Sequence, residues 1–321
     1  MLEGAMKPIP AVSRLYLAAA ILLLFQSGQA GEEPPAIVAE LPGAPRAAAW
    51  TRLHYAADGR IGSVSTTLEL ANSSLQDMQS APYTALENTA FQIIASPLMR
   101  IDIQARATSL FGDSGTRGTL WFDPATGAVL QRDKLRPGWK GSRKIYRFGE
   151  DGALRLRLKP KDRAEAEQPS DEWSKTKESF FPYNLHDSGC EFVSDPILLL
   201  YLVSLPEYIN ANRSAQTCLF FDDALYRVRL EPQGSDWLDV NYTVKSAAGR
   251  RRVQGRQESL KLLLRIEPLT AGADRANFEL LELRGTIVIH LNTGSRLPVQ
   301  VSGERAGLGR LRIALVEAES D

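Results

Sequence analysis

A chain of 321 residues, with 38 Lys+Arg against 38 Asp+Glu, has room for one large or two modest domains. It has no net field to draw it to nucleic acid or to an anionic surface, so no nucleic-acid partner is expected. Its 44% of hydrophobic residues is ordinary for a globular protein, and only two cysteines are present.

Lys7 and Arg14 precede an apolar core, Leu15 to Phe25, and the small residues Gly28 and Ala30 follow. That order predicts a secretory signal peptide over residues 1–30, cleaved after Ala30. An uncleaved anchor is the alternative, but the apolar core is short for a membrane span. No cysteine follows the cut, so lipid attachment is not expected. Met6 is a second possible start, because Met6 to Ala30 alone makes a complete leader. No other apolar run is long enough to cross a bilayer, so the mature chain is expected in the periplasm without a transmembrane segment.

Residues 31–49, rich in Pro, Ala and Gly, read as a flexible lead-in. A single β-rich domain is expected over residues 50–317, opening with a strand set over 50–159. Trp50 to Tyr55 alternates and turns at Asp58-Gly59 into Ile61 to Leu70, a hairpin. Residues 71–88 are a polar loop or one irregular helix. Leu98 to Ala107 alternates throughout, as a strand with one wet face does. Two hairpins follow, Gly118–Phe122 with Ala128–Lys134, and Arg143–Phe148 with Ala153–Lys159. In the last strand Leu154, Leu156 and Leu158 share one face, and Arg155 and Arg157 the other. Residues 160–178 form a charged loop with no apolar period, expected to be exposed and mobile.

The run from Asp195 to Pro206 is apolar on every side and predicts a buried central helix over 195–205. Asp195 can accept from the first free N–H groups, Pro196 suits the first helical position, and Pro206 ends the helix. A core plug is the plain expectation; a lid over an apolar cavity is the alternative. The only two cysteines, Cys190 and Cys218, flank the run. A disulfide between them is expected, which suits an oxidising compartment. Free buried thiols, or a metal bound by both thiolates and His186, are the alternatives, although zinc sites bring cysteines in close pairs.

Strands resume over 216–317: Thr217–Phe221, Leu225–Glu231, Trp237–Lys245, Ser259–Glu267, Gly285–Leu291, Leu297–Val301 and Leu308–Val316. So many strands on short turns predict an all-β fold: one large antiparallel sheet built from hairpins and strongly curved, or closed into a barrel or half-barrel, around one short buried helix. There is also an internal echo. Gly118-Thr119, Thr126-Gly127 and Leu130 recur as Gly285-Thr286, Thr293-Gly294 and Leu297 at identical offsets. Either the halves are related hairpin sets, or shared turn chemistry repeats by chance.

An early Tyr55-containing strand, the Ile61-Gly62 turn, the Asp195-Pro196 helix, Leu297-Pro-Val-Gln-Val301 and a glycine-bearing final hairpin follow in that order. In this the chain resembles the exported bacterial proteins of domain of unknown function family 3108. His290 departs from the aromatic residue usual in the late strand. The resemblance covers most of residues 50–316 and implies an envelope location and a β-rich, barrel-like fold. It brings no assigned activity and no catalytic residues.

Catalytic patterns are sparse. The chain has no Gly-x-Ser-x-Gly elbow, no His-Glu-x-x-His helix and no phosphate-cradling glycine loop. His54 and His290 fall in strands and are expected to be structural. A Cys190–His186 nucleophile is incompatible with a disulfide. Asp222-Asp223 suits a turn better than an acid–base pair, since neighbours on a strand point to opposite faces. Arg250, Arg251 and Arg252, with Arg256 and Lys261, gather near a hairpin tip, where they suit a solvated turn or contact with anionic headgroups. Trp121, Trp139, Trp173 and Trp237 are candidates for stacking on sugars. No cofactor, metal or catalytic residue is assigned. The leading expectation is a non-enzymatic protein whose curved sheet binds an amphiphile, such as a lipid, or an envelope protein. A cavity-free assembly partner of envelope machinery is the alternative, and a carboxylate-dependent glycan hydrolase a third.

Overall fold

The computed structural model describes residues 48–59, 62–79, 97–109, 112–306 and 308–320. The expected signal peptide and residues 31–47 of the lead-in lie outside these, as do 80–96. The first strand set comprises β1 (Arg52–Gly59), β2 (Gly62–Ser73), β3 (Leu98–Ser109), β4 (Gly112–Phe122), β5 (Val129–Arg136), β6 (Ser142–Phe148), β7 (Gly152–Lys159) and β8 (Lys175–Pro182). The second comprises β9 (Val193–Ser194), β10 (Ala215–Phe221), β11 (Ala224–Ser246), β12 (Gly249–Pro268), β13 (Arg284–Asn292), β14 (Pro298–Arg305) and β15 (Gly309–Glu319). Three short α-helices intervene: α1 (Leu75–Gln79), α2 (Arg163–Ala166) and α3 (Leu198–Leu202).

The described strands form one sheet, in the order β8-β7-β6-β5-β4-β3-β2-β1-β15-β14-β13-β12-β11-β10-β9. Neighbours are antiparallel except β9 and β10. The chain enters at β1 in the middle of the sheet and meanders out to β8. It then crosses through α3 to β9 at the far edge and meanders back to β15, which pairs with β1. The end of β15 also takes β11 as a parallel neighbour, Thr243 opposite Glu317 and Lys245 opposite Glu319, so β11 to β15 close a partial ring.

The sheet is strongly curved. Tyr146 and Phe148 of β6 and Phe181 of β8 lie near one end of the strand order and Phe220 of β10 near the other. Yet their rings lie 6.0, 5.6 and 6.0 Å from that of Phe220. A flat sheet would hold them many strand widths apart. Side chains, not backbone bonds, therefore join the two ends. All five residues of α3 are buried in the hollow, with Tyr201 edge-on to Phe122 of β4 at 5.0 Å.

The expected helix over 195–205 is α-helical only at its centre. Its flanks are tighter turns, with N–H to carbonyl bonds from Leu198 to Asp195 and from Leu205 to Leu202. Confined between Pro196 and Pro206, it has few turns in which to settle, and short helix ends tighten in this way. Arg296 fastens its exit: Nη2 donates to the carbonyls of Val203, Leu205 and Ile209 at 2.8, 2.9 and 2.8 Å. Replacing Arg296 with Met strands three acceptors, and is expected to lower stability by about 2–3 kcal/mol in urea unfolding.

Two turns share one closure pattern, but not in the register of the sequence echo. The β4–β5 turn is closed by Asp123 N–H to Ala128 and Gly127 N–H to the Asp123 carbonyl. The β13–β14 turn is closed identically, by Asn292 N–H to Leu297 and Arg296 N–H to the Asn292 carbonyl. Gly127 and Arg296 both hold positive φ, +83° and +58°. Asp123 thus matches Asn292, two residues away from the correspondence that the Thr-Gly pairs suggest. Both turns meet the exit of α3, Gly127 against Leu202 and Arg296 against the carbonyls beyond it.

Two expectations need correction. Residues 160–178 are not a free loop: they hold α2 and the start of β8, and Trp173 is buried with Ile145, Leu156 and Leu158. The leucine face of β7 points away from the central core, and this segment covers it. Second, the strands expected over Leu225–Glu231 and Trp237–Lys245 are one strand, β11. The break between them is a bulge at Pro232 to Ser235, where Gly234 has φ +83°, and β12 runs past both halves. The polar segment after β2, read as a loop or one irregular helix, forms α1, whose Met78 packs with Leu98, Trp121 and Leu130 on the convex face.

Candidate functional site

Strand alternation places Arg132, Lys134 and Arg136 of β5 on the concave face, on a wall of a cleft at the entrance to the hollow. The cleft measures about 480 Å³, and Lys144, Tyr146, Asp222 and Arg284 are also on its walls. Beside it lies an apolar recess of about 100 Å³, lined by Ile103, Ala105, Ile197, Phe221 and Leu281. Arg132, Lys134, Phe221 and Glu279 border both spaces, so the polar cleft opens directly onto the recess.

Arg132 is the innermost cation, 9% exposed, and its Nη1 lies 2.6 Å from Asp195 Oδ2. The other Asp195 oxygen accepts from Ile197 N–H at 2.9 Å, so one carboxylate closes the turn before α3 and neutralises the guanidinium. The guanidinium lies 4.3 Å from the centre of the Tyr146 ring. Burial works against its charge, but Asp195, Tyr146 and Asp222 together more than compensate and move its pKa above the ordinary value.

Lys144 bonds Asp222, and the Tyr146 hydroxyl donates to the Asp222 carbonyl at 2.9 Å. Arg284 Nε donates to Glu279 at 2.6 Å. Lys134 and Arg136, by contrast, have no carboxylate in ion-pair contact among the described residues. Burial, and then the neighbouring charge of Arg132, hold the Lys134 ammonium below the usual lysine range.

Asp222 and Asp223 form the two-residue turn between β10 and β11, Phe221 pairing with Ala224, as the turn reading has it. Burial pulls the Asp222 carboxyl upward, but Lys144, with Arg132 and Arg155, pulls harder and leaves it below the ordinary value. An ionised carboxylate tied to a lysine is poorly placed to donate a proton.

The other candidates lie apart from the cleft. Cys190 and Cys218 are bonded to each other, Cα atoms 5.9 Å apart, which removes the free-thiol, metal and nucleophile alternatives. His186 is fully exposed beside Asp187. Arg250, Arg251 and Arg252 stand in β12 just past the hairpin tip, opposite Lys245, Val244 and Thr243. Arg252 Nε donates to Asn241 at 3.0 Å and Arg250 lies 3.7 Å from Glu317. His54 shares a 2.8 Å hydrogen bond with Thr67, and His290 is buried between Gln300 and Asp236. Of the four tryptophans that were candidates for stacking on sugars, Trp121 and Trp173 are buried; Trp139 and Trp237 are exposed but line none of the cleft. Among the described residues no group of three His, Cys, Asp or Glu could hold a metal ion, and no helix is long and apolar enough to cross a membrane.

Sequence reasoning missed the β5 row. Its signal was present, a basic residue at every second position from Arg132 to Arg136, but the adjoining recess draws on segments far apart in the chain. No family model, curated protein or solved structure matches this chain.

Proposed function

We propose that this is an exported, non-enzymatic protein whose curved sheet holds an amphiphile at the cleft beside α3. One observation carries the reading: a charged cleft and an apolar recess share a border of Arg132, Lys134, Phe221 and Glu279. A molecule with a polar head and an apolar end fits such a junction better than a wholly polar or wholly apolar one. Export to the periplasm is supported by the leader pattern before Ala30 and by the Cys190–Cys218 bond, which suits an oxidising compartment.

A second reading, docking to an envelope protein, has its own support. The β11–β12 hairpin carries the exposed Trp237, and the outer edge of β8 has no strand beside it among the described residues.

Purification from the native envelope followed by mass measurement tests the first reading. A mass excess that disappears on denaturation and extracts into organic solvent is the expected result. Ala105→Phe, which fills the recess, is expected to weaken binding of an apolar fluorescent probe by about tenfold. Absence of both the excess mass and probe binding would overturn the proposal and leave the docking reading.

A further inference from the structure

The concave faces of β5 to β8 carry basic residues in register. Lys134 stands opposite Lys144, Lys144 opposite Arg157, and Arg157 opposite Lys177. Residues directly opposite share a face of the sheet. That face is the concave one, because Tyr146 and Phe181, an even number of positions from Lys144 and Lys177, pack on Phe220. Strands lie about 4.8 Å apart, so the four cations make a rung roughly 14 Å long. Arg132 and Arg155, either side of Tyr146, form a sparser rung deeper in the hollow.

Few acids balance this face. Asp195 contacts Arg132 and Asp222 contacts Lys144. Glu279 is held by Arg284, and Asp223 is exposed at the turn. The buried Nε atoms of Arg132, Arg155 and Arg157 have no acceptor among the described residues. Like charges directly opposite one another destabilise a sheet. Asp222 offsets Lys144, but Lys134, Arg157 and Lys177 have no such partner among the described residues, and with the Arg157 Nε left over they make a surface that several negative charges would stabilise. A carboxylate brings one charge and is short beside a rung of roughly 14 Å; phosphate groups bring up to two each and three acceptor oxygens.

We propose that the rung Lys134–Lys144–Arg157–Lys177 binds a polyanionic, phosphate-type head. The inference rests on the amphiphile reading for the tail, which enters the recess, and adds the chemistry of the head. A free phosphate compound shares that chemistry, and the titration below separates the two sources.

The purified protein is titrated calorimetrically, at low and at physiological salt, with dodecyl phosphate, dodecyl maltoside and dodecyltrimethylammonium below their micelle concentrations, and with inorganic pyrophosphate. Dodecyl phosphate is expected to bind about tenfold or more tightly than the maltoside, the margin shrinking as salt rises. Lys134→Gln and Arg157→Gln should each remove most of that margin, and Arg157→Gln, at a position that lines neither the cleft nor the recess, should leave maltoside affinity unchanged. Both substitutions relieve repulsion, so both should raise the Tm of the free protein, which guards against mistaking misfolding for lost binding. Equal affinity for all three heads would overturn the headgroup inference while the amphiphile reading stands. Pyrophosphate binding that Lys134→Gln abolishes, with no dodecyl compound bound, would support the anion site and overturn the amphiphile reading. Silence from both dodecyl phosphate and pyrophosphate would overturn the inference.

Discussion

Asp195→Ala is expected to destabilise the protein by about 3–5 kcal/mol, more than any other single substitution at the cleft. Asp195 is 2% exposed and does two jobs, pairing with Arg132 at 2.6 Å and accepting from Ile197 N–H. Alanine leaves the nearly buried Arg132 guanidinium without its counter-charge, and leaves the turn that leads into α3 without its side-chain acceptor. Urea unfolding reads the loss as a lower midpoint at unchanged slope. Arg132→Met combined with Asp195→Leu removes both charges and is expected to recover most of the loss, because an uncompensated buried charge costs more than an absent pair. If the double variant is as unstable as Asp195→Ala, the bond from Asp195 to the turn before α3 and not the ion pair carries the stability.

Removing the Cys190–Cys218 bond ranks second. The bond joins positions 28 apart in sequence and encloses β9 and α3. Chain-entropy arguments put its contribution at about 3–4 kcal/mol, because the reduced unfolded chain regains the freedom of that loop. A Cys190→Ser, Cys218→Ser variant should unfold at correspondingly lower urea, and the oxidised protein treated with reductant should match it. Val193 already pairs with Cys218 in the sheet, so the native positions need not move when the bond is lost. An unchanged midpoint would mean that the unfolded chain keeps this segment compact without the bond.

Much of the fold was legible because hairpins are local. Turn residues at Asp123 to Gly127 and Glu150 to Gly152 separate alternating runs that became strands, whereas Asp58-Gly59, expected as a turn, forms the last paired positions of β1, opposite Ser63 and Gly62. The central apolar segment, too, could only be buried. Facing was not legible. The leucines of β7 look like its core side, yet Arg155 and Arg157 point into the hollow while Trp173 covers Leu156 and Leu158. Alternation identifies two faces but not which one the sheet curls around; that depends on where distant segments pack. The break in β11 was hidden for a related reason. Pro232 and Gly234 read as a turn, but β12 holds the strand together across them. The cleft and its recess were invisible because their walls come from β3 to β6, the turn before α3, the β10–β11 turn and the stretch near Glu279. Its basic rung was legible in part, since each strand shows its own cations and only register brings them level.

The placement of β1 and β15 at the middle of the sheet sets the order in which the fold can be completed. Arg52 pairs with Glu319, the first described strand beside the last. Each half can zip outward by adjacent hairpins, but the seam between them closes only after nearly the whole chain has been made. Until then the inner edge of β1 is an open template for the wrong neighbour, so a chaperone that shields this edge would protect the chain more than one that binds either outer edge. Sequence-distant pairing of this kind also slows the final step, which makes the seam, and not any hairpin, the kinetic bottleneck of the molecule.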